Sequence, residues 1–316
     1  IDTVIEPHPW LGDGTCDDPF WRVATREGGS WLGPSQHRTD PRALASLPFE
    51  ELPRHFGHGT FIAGIIRQLA PDARILSIPV MDDDGKAETG RVLEALQWLR
   101  DRVVEAREHE DPALFVDVIN LALGWRASEE EHFAPLPDRD EYVKVLGELG
   151  DAGVRVVVSA GNQGREEPVD TAAIAKDQQD AETPPRTPML SVGALDPDGR
   201  RATYSNHGNW VLLYAPGTGL ISTMPRVQGL SLVTPADMSS GVPNPDHLAR
   251  GFARWNGTSF AAAWVSGKIA AHLLDGPYAW ELHRLDCDQT HLRAEDALNA
   301  TKADIDRWRG ATDAPG

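Results

Sequence analysis

Two runs of apolar residues constrain the fold more than anything else in this chain. Val116 to Leu123 is almost continuously apolar, and Val154-Arg155-Val156-Val157-Val158-Ser159 nearly so. A strand with one wet face alternates polar and apolar residues, whereas a strand without alternation is buried on both faces. Such strands belong to a parallel sheet that helices cover on both sides. The intervening sequence supplies the helices. Phe61, Ile62, Ile65, Ile66 and Leu69 recur at helical spacing, as do Val92, Leu93, Leu96, Leu99 and Val103 within Thr89 to Val104. Tyr142 to Leu149 and the alanine-rich Ser259 to Leu274 read the same way. Arg74 to Val80, Met189 to Ala194 and Trp210 to Ala215 read as further strands. Strands alternating with helices predict βαβ units, hence a three-layer α/β domain with a mostly parallel sheet.

Three segments interrupt this rhythm. Residues 10–54 mix Gly, Pro, Trp and charge without a clear period. Residues 163–188 are polar and end in Thr183-Pro184-Pro185-Arg186-Thr187-Pro188, and residues 225–252 carry four prolines, Pro225, Pro235, Pro243 and Pro245. Loops of this length in a compact domain are usually functional. They are expected as long inserts in one catalytic-size domain over residues 1–276. Residues 277–316 hold Trp280, Leu282, Leu285, Leu292 and Leu298, and are expected as a helical extension packed on it.

Composition narrows the partners. Of 316 residues, 48 are Asp or Glu against 30 Lys or Arg, a formal charge of −18. Such a surface argues against nucleic acid or anionic membranes and serves solubility. No run of 18 apolar residues is present, so no transmembrane helix is expected. The first residues lack a basic and apolar signal pattern. With only two cysteines, Cys16 and Cys287, there is no disulfide framework; one bridge and two free thiols both fit. These features lean towards a bacterial cytoplasm, with a processed secreted form as the alternative.

Three small patches carry the chemistry. Ser259 opens a helix between Gly257 and Ala261-Ala262-Ala263. A serine there is commonly a cap. Small neighbours, however, also let a substrate approach, and a helix start offers N–H groups to a developing oxyanion. His58, framed by Gly57 and Gly59-Thr60, has room at another helix start, whereas His55, three residues earlier, lacks that frame. Asn162 ends the strand at Val154–Ser159 in Ser159-Ala160-Gly161-Asn162, where a turn residue or an amide donor both fit. At the start of the chain stands Ile1-Asp2-Thr3. Asp, His and Ser in this chain order form one of three unrelated orders that build the same catalytic geometry.

The segments Gly57-His58-Gly59-Thr60-Phe61-Ile62-Ala63-Gly64, Ser159 to Asn162 and Asn256-Gly257-Thr258-Ser259-Phe260-Ala261-Ala262 closely resemble the histidine, oxyanion and nucleophile motifs of the subtilases, the subtilisin-like serine peptidases. The resemblance runs from about residue 56 to 275, with Asp2 as an outlier. It implies the subtilisin-like three-layer fold and a peptide or protein substrate. It also implies nucleophile Ser259, base His58, orienting acid Asp2 and oxyanion donor Asn162. Ala122-Leu123-Gly124 resembles the family's substrate-binding wall, Gly161 is implied as a further substrate-binding residue, and Trp125 stands where a second small residue is usual. Asp84 to Glu88 loosely resembles the opposite rim, with Glu88 hinting at basic side chains. Thr203 to His207 and Tyr214 to Gly217 resemble structural landmarks. No organic cofactor is implied. Many subtilases bind calcium, but Asp82-Asp83-Asp84 fits no ligand loop and reads as a solvated turn.

The chain departs from the family at Val4, where a glycine is usual, and at Ala263, where a proline is usual. No strand precedes Asp2, so further residues are expected upstream. Asp13, Asp17, Asp18 and Asp40 are the alternative acids, all in irregular sequence. Glu6-Pro7-His8-Pro9 and Ser259 to Ala262 also resemble the mycosin branch. Two other readings stay open: a leader peptidase or macrocyclase of one precursor, and an inactive binding module on the same scaffold.

Overall fold

The computed structural model describes residues 1–14, 18, 20–27, 30–35, 53, 55–123, 136–225, 251–275 and 287–312. Four strands form its central parallel sheet in the order β4 (Val118–Leu121), β5 (Arg155–Ser159), β6 (Leu190–Leu195) and β7 (Leu213–Pro216). Leu121 pairs with Val158, Val157 with Leu190, and Val192 with Leu213. A second sheet holds β1 (Trp21–Glu27) between β2 (Ser30–Ser35) and β3 (Ile75–Ser77). An antiparallel ribbon joins β8 (Leu220–Thr223) to β9 (Phe252–Trp255).

Strand β5 explains the three layers. Every residue in it is buried, and its side chains alternate between two cores. Val156 and Val158 join Leu96, Leu99, Leu146 and Leu149. These belong to helices α2 (Thr89–Glu108) and α3 (Arg139–Asp151). Val157 points the other way, to Ala261, Ala262, Val265 and Ile269 of α5 (Thr258–Asp275). A strand sandwiched between helix layers has no wet face, which is why its sequence does not alternate. Helix α1 (His58–Leu69) packs on α5 through Phe61, Ile62 and Ile65 against Phe260 and Ala263.

Two inserts hold more structure than their sequences suggest. Residues 163–188 contain α4 (Asp170–Asp180), which buries Thr171, Ala172, Ile174, Ala175 and Gln178. Its stripe includes a Thr and a Gln, so hydrophobicity alone does not reveal it. Residues 10–54 contain β1 and β2; a register shift between Ala24 and Thr25 breaks the two-residue period. The strand expected at Trp210 to Ala215 begins only at Leu213. Most of 225–252 lies outside the described residues, as do Cys16, Asp17 and Asp40.

Helix α6 (Cys287–Thr312) is docked on α5 by Ala297, Leu298 and Ile305. Charge fastens the contact: Asp304 meets Lys268 and His272 of α5 and Arg307 of its own helix. Burial works against the Asp304 carboxylate, but the hydrogen bonds from Lys268, His272 and Arg307 outweigh it and lower its pKa from 3.8 to about 2. A depressed acid stabilises the fold above its unfolded value, and that contribution is lost as pH falls through the folded one. Asp304→Asn should therefore lower the melting temperature at neutral pH. It should also flatten the pH dependence of melting between 3.8 and about 2. Thermal melts of both proteins across that range decide it; parallel curves would exclude the network as a source of stability.

Candidate active site

The site forms where the segment 1–6, α1, α5 and the turn after β5 meet. Asp2 sits in a short extended segment clamped from both sides. Its N–H donates to Ile78 O, its carbonyl accepts Val80 N–H, and the Ile1 nitrogen donates to Asn120 O in β4. The Asp2 carboxylate is buried and accepts the Thr3 N–H at 2.7 Å. The same oxygen lies 2.7 Å from His58 Nδ1. A carboxylate at that distance holds the proton on Nδ1 and leaves Nε2 as the basic nitrogen.

Local sequence brings the two together. Thr3 Oγ1 accepts the Gly59 N–H at 2.8 Å, and the Glu6 N–H donates to Thr60 Oγ1 at 2.9 Å. Thr3 thus caps a first-turn N–H of α1 that has no helical acceptor. The contact is so close that a Cβ on Gly59 would stand 2.4 Å from the Thr3 carbonyl oxygen. Only glycine lets the Asp2 segment lie on the start of the histidine helix. Of the alternative acids, Asp18 spends its carboxylate on the N–H groups of Gly14, Phe20 and Trp21.

Ser259 is the second residue of α5 and is 7% exposed. Phe260, next to it, sets its ring 5.3 Å from the His58 ring, so the starts of α1 and α5 meet. Trp255 of β9 approaches the same imidazole edge-on at 5.7 Å. The Ser259 N–H lies in the first turn, among groups the helix leaves without an acceptor.

Asn162 is exposed beside this turn. Its Oδ1 accepts both the Thr258 N–H at 2.8 Å and the Thr258 hydroxyl at 2.9 Å. Thr258 Oγ1 in turn accepts the Gly161 N–H at 3.0 Å. With the amide oxygen so occupied, Nδ2 is the free end, 3.7 Å from where a Cβ on Gly257 would lie. Buried Asn206 staples the turn by donating to Ala160 O and accepting the Gln163 and Arg165 N–H groups. Thr3, Thr258 and Asn206 are the residues that motif reading leaves unassigned to the site. Each stands inside one of the segments Ile1 to Thr3, Asn256 to Ala262 and Thr203 to His207, but nothing local in these says which partner it meets.

The expected substrate wall is described in part. Ala122 and Leu123 are buried past the end of β4, while Gly124 and Trp125 lie outside the described residues. Leu123 O accepts the Thr171 hydroxyl from the start of α4, and Val169 lies against Gly161. Across the site, Asp82 Oδ1 accepts the Asp84 and Lys86 N–H groups, closing the acidic turn on itself. Burial, then Asp82 and Asp84, push the Asp83 pKa up. Among the described residues, no three His, Cys, Asp or Glu side chains are grouped to hold a metal ion, and no helix is long and apolar enough to cross a membrane.

Comparison with known proteins follows the same outline. The family model described as Peptidase_S8, Subtilase family, matches residues 6–302, a span that takes in His58, Asn162 and Ser259 and begins after Asp2. A subtilisin-like protease of Coccidioides posadasii (strain C735) is 28% identical over 188 residues, 57% of this chain and 41% of that protein. A thermophilic serine proteinase of Bacillus sp. (strain AK1) is 28% identical over 177 residues, 53% of this chain and 36% of that protein. The chain therefore spans about two fifths of the length of these curated relatives. Among solved structures, a lanthipeptide protease matches with a TM-score of 0.57 at 21% identity, covering 94% of this chain and 85% of that one. A mutant of the protease domain of PatA matches with a TM-score of 0.53 at 21% identity, covering 96% of this chain and 93% of that one.

Proposed function

Since the chain belongs to the subtilase family, we propose that it is a serine endopeptidase that cleaves peptide bonds through an acyl-enzyme on Ser259. The observation that carries this reading is the buried 2.7 Å contact between Asp2 and His58 Nδ1 at the start of α1, with the first turn of the serine helix beside it. It supplies the oriented base that a serine needs to become a nucleophile.

In this mechanism His58 Nε2 takes the Ser259 proton as Oγ attacks the scissile carbonyl. Asp2 stabilises the imidazolium that forms without itself being protonated. The tetrahedral oxyanion is met by the Ser259 N–H and by Asn162 Nδ2, whose orientation Thr258 sets. His58 then protonates the leaving amine. Water then attacks the acyl-enzyme as His58 takes its proton, and His58 returns that proton to Ser259 Oγ as the C–Oγ bond breaks and the acid product leaves. The substrate backbone is expected to pair along Ala122 to Gly124.

Asn162→Ala should lower kcat by about 10²- to 10³-fold with KM little changed, because the lost donor serves the transition state alone. Steady-state kinetics on a peptide substrate check this. An equal rise in KM would place Asn162 in substrate binding instead.

A second reading is favoured by the contact of α4 with the substrate wall, where Thr171 and Val169 crowd Leu123 and Gly161. An insert held against that wall suits restriction of the cleft to one peptide precursor, as in a leader peptidase or a macrocyclase. Product mass separates hydrolysis from cyclisation, since a cyclic product is lighter than the hydrolysed acid by one water.

A further inference from the structure

His55 lies outside the glycine frame of the histidine motif, yet its ring is set against the candidate base. The imidazoles of His55 and His58 meet edge to face, with centroids 5.5 Å apart and planes at 69°. The His55 backbone is pinned at both ends. Its N–H donates to Asp83 O at 2.8 Å and its carbonyl accepts the His58 N–H at 3.0 Å. Gly85 makes the space: it has φ +84°, and a Cβ there would stand 2.3 Å from His55 Nδ1. His58 is thus met by three aromatic rings, those of His55, Trp255 and Phe260, while Asp2 holds Nδ1.

We propose that His55 is a positioning residue for the base, keeping the His58 ring in the orientation that bonds Asp2 and offers Nε2 to Ser259. The proposal rests on the triad reading above. Such a brace acts through the edge it sets against the His58 ring, so another flat ring can take its place and a methyl group cannot.

The test is the rate of fluorophosphonate labelling between pH 5 and 9 for the wild type, Ser259→Ala, His55→Phe and His55→Ala, alongside thermal melts. His55→Phe keeps an aromatic edge. Its labelling rate should stay within about threefold of the wild type, because the ring edge against His58 is kept. His55→Ala loses the edge and should label about tenfold more slowly on the plateau. If His55→Ala does not fold, His55→Leu, which fills the space without a flat ring, takes its place and should also label about tenfold more slowly. A wild type that takes no label removes the triad reading and this proposal with it. A labelled wild type, an unlabelled Ser259→Ala and a folded His55→Ala or His55→Leu that labels at the wild-type rate remove this proposal alone.

Discussion

Ser259→Ala is expected to take no fluorophosphonate label and to lose peptide hydrolysis by about 10⁶-fold in kcat, while the wild type takes one adduct by intact mass. The size follows from what the serine supplies. Without Oγ no acyl-enzyme forms, and only the oxyanion donors and substrate binding remain to assist direct attack by water. The residues act as a unit, so His58→Ala should cost about as much as Ser259→Ala, and the double variant should be little worse than either. Ser259 is small, buried and in the first turn of α5, so its alanine variant should melt close to the wild type. Persistent labelling of Ser259→Ala would place the reactive group elsewhere. A folded wild type without label would favour the binding-module reading.

Asp2→Asn should lower kcat by about 10⁴-fold with KM little changed. The carboxylate does two things at once. Its Oδ1 fixes the Nδ1–H form of His58, and its charge stabilises the imidazolium that forms during attack. Asparagine keeps the shape and removes the charge. To keep an oxygen towards the Thr3 and His58 N–H groups, it must also bury an NH2 at the position of Oδ2, which has no hydrogen-bond partner among the described residues. Turning the amide over would set a donor against two donors. Either choice weakens the base. Asp13→Asn should leave kcat within a few-fold of the wild type. Equal losses in the two variants would reject Asp2 as the orienting acid.

The layered fold was legible because helices on both faces of a sheet require strands that do not alternate, and Val154 to Ser159 does not. Helix α4 was not legible, because its buried stripe runs through Thr171 and Gln178 and its exposed face is strongly polar. Strands β1 and β2 were hidden by a register shift that breaks the period. Within the site, His58, Asn162 and Ser259 announce themselves through glycine and small neighbours, which a reacting centre needs for close approach.

The sequence by itself determined which groups are available to the proposed chemistry: a serine, a histidine and an amide, each at the start of a helix or the end of a strand, in a workable order. Only the tertiary structure decided which acid lies against His58 and where each group points. Asp2 and His58 lie 56 residues apart, and nothing local to either links them. Their contact exists because Gly59 admits the Thr3 backbone and because Ile78, Val80 and Asn120 hold the segment in place. The aim of Asn162 likewise depends on Thr258, 96 residues away. Pattern along a chain records what each residue can do, whereas direction and distance arise from hydrogen bonds between segments that only folding brings together.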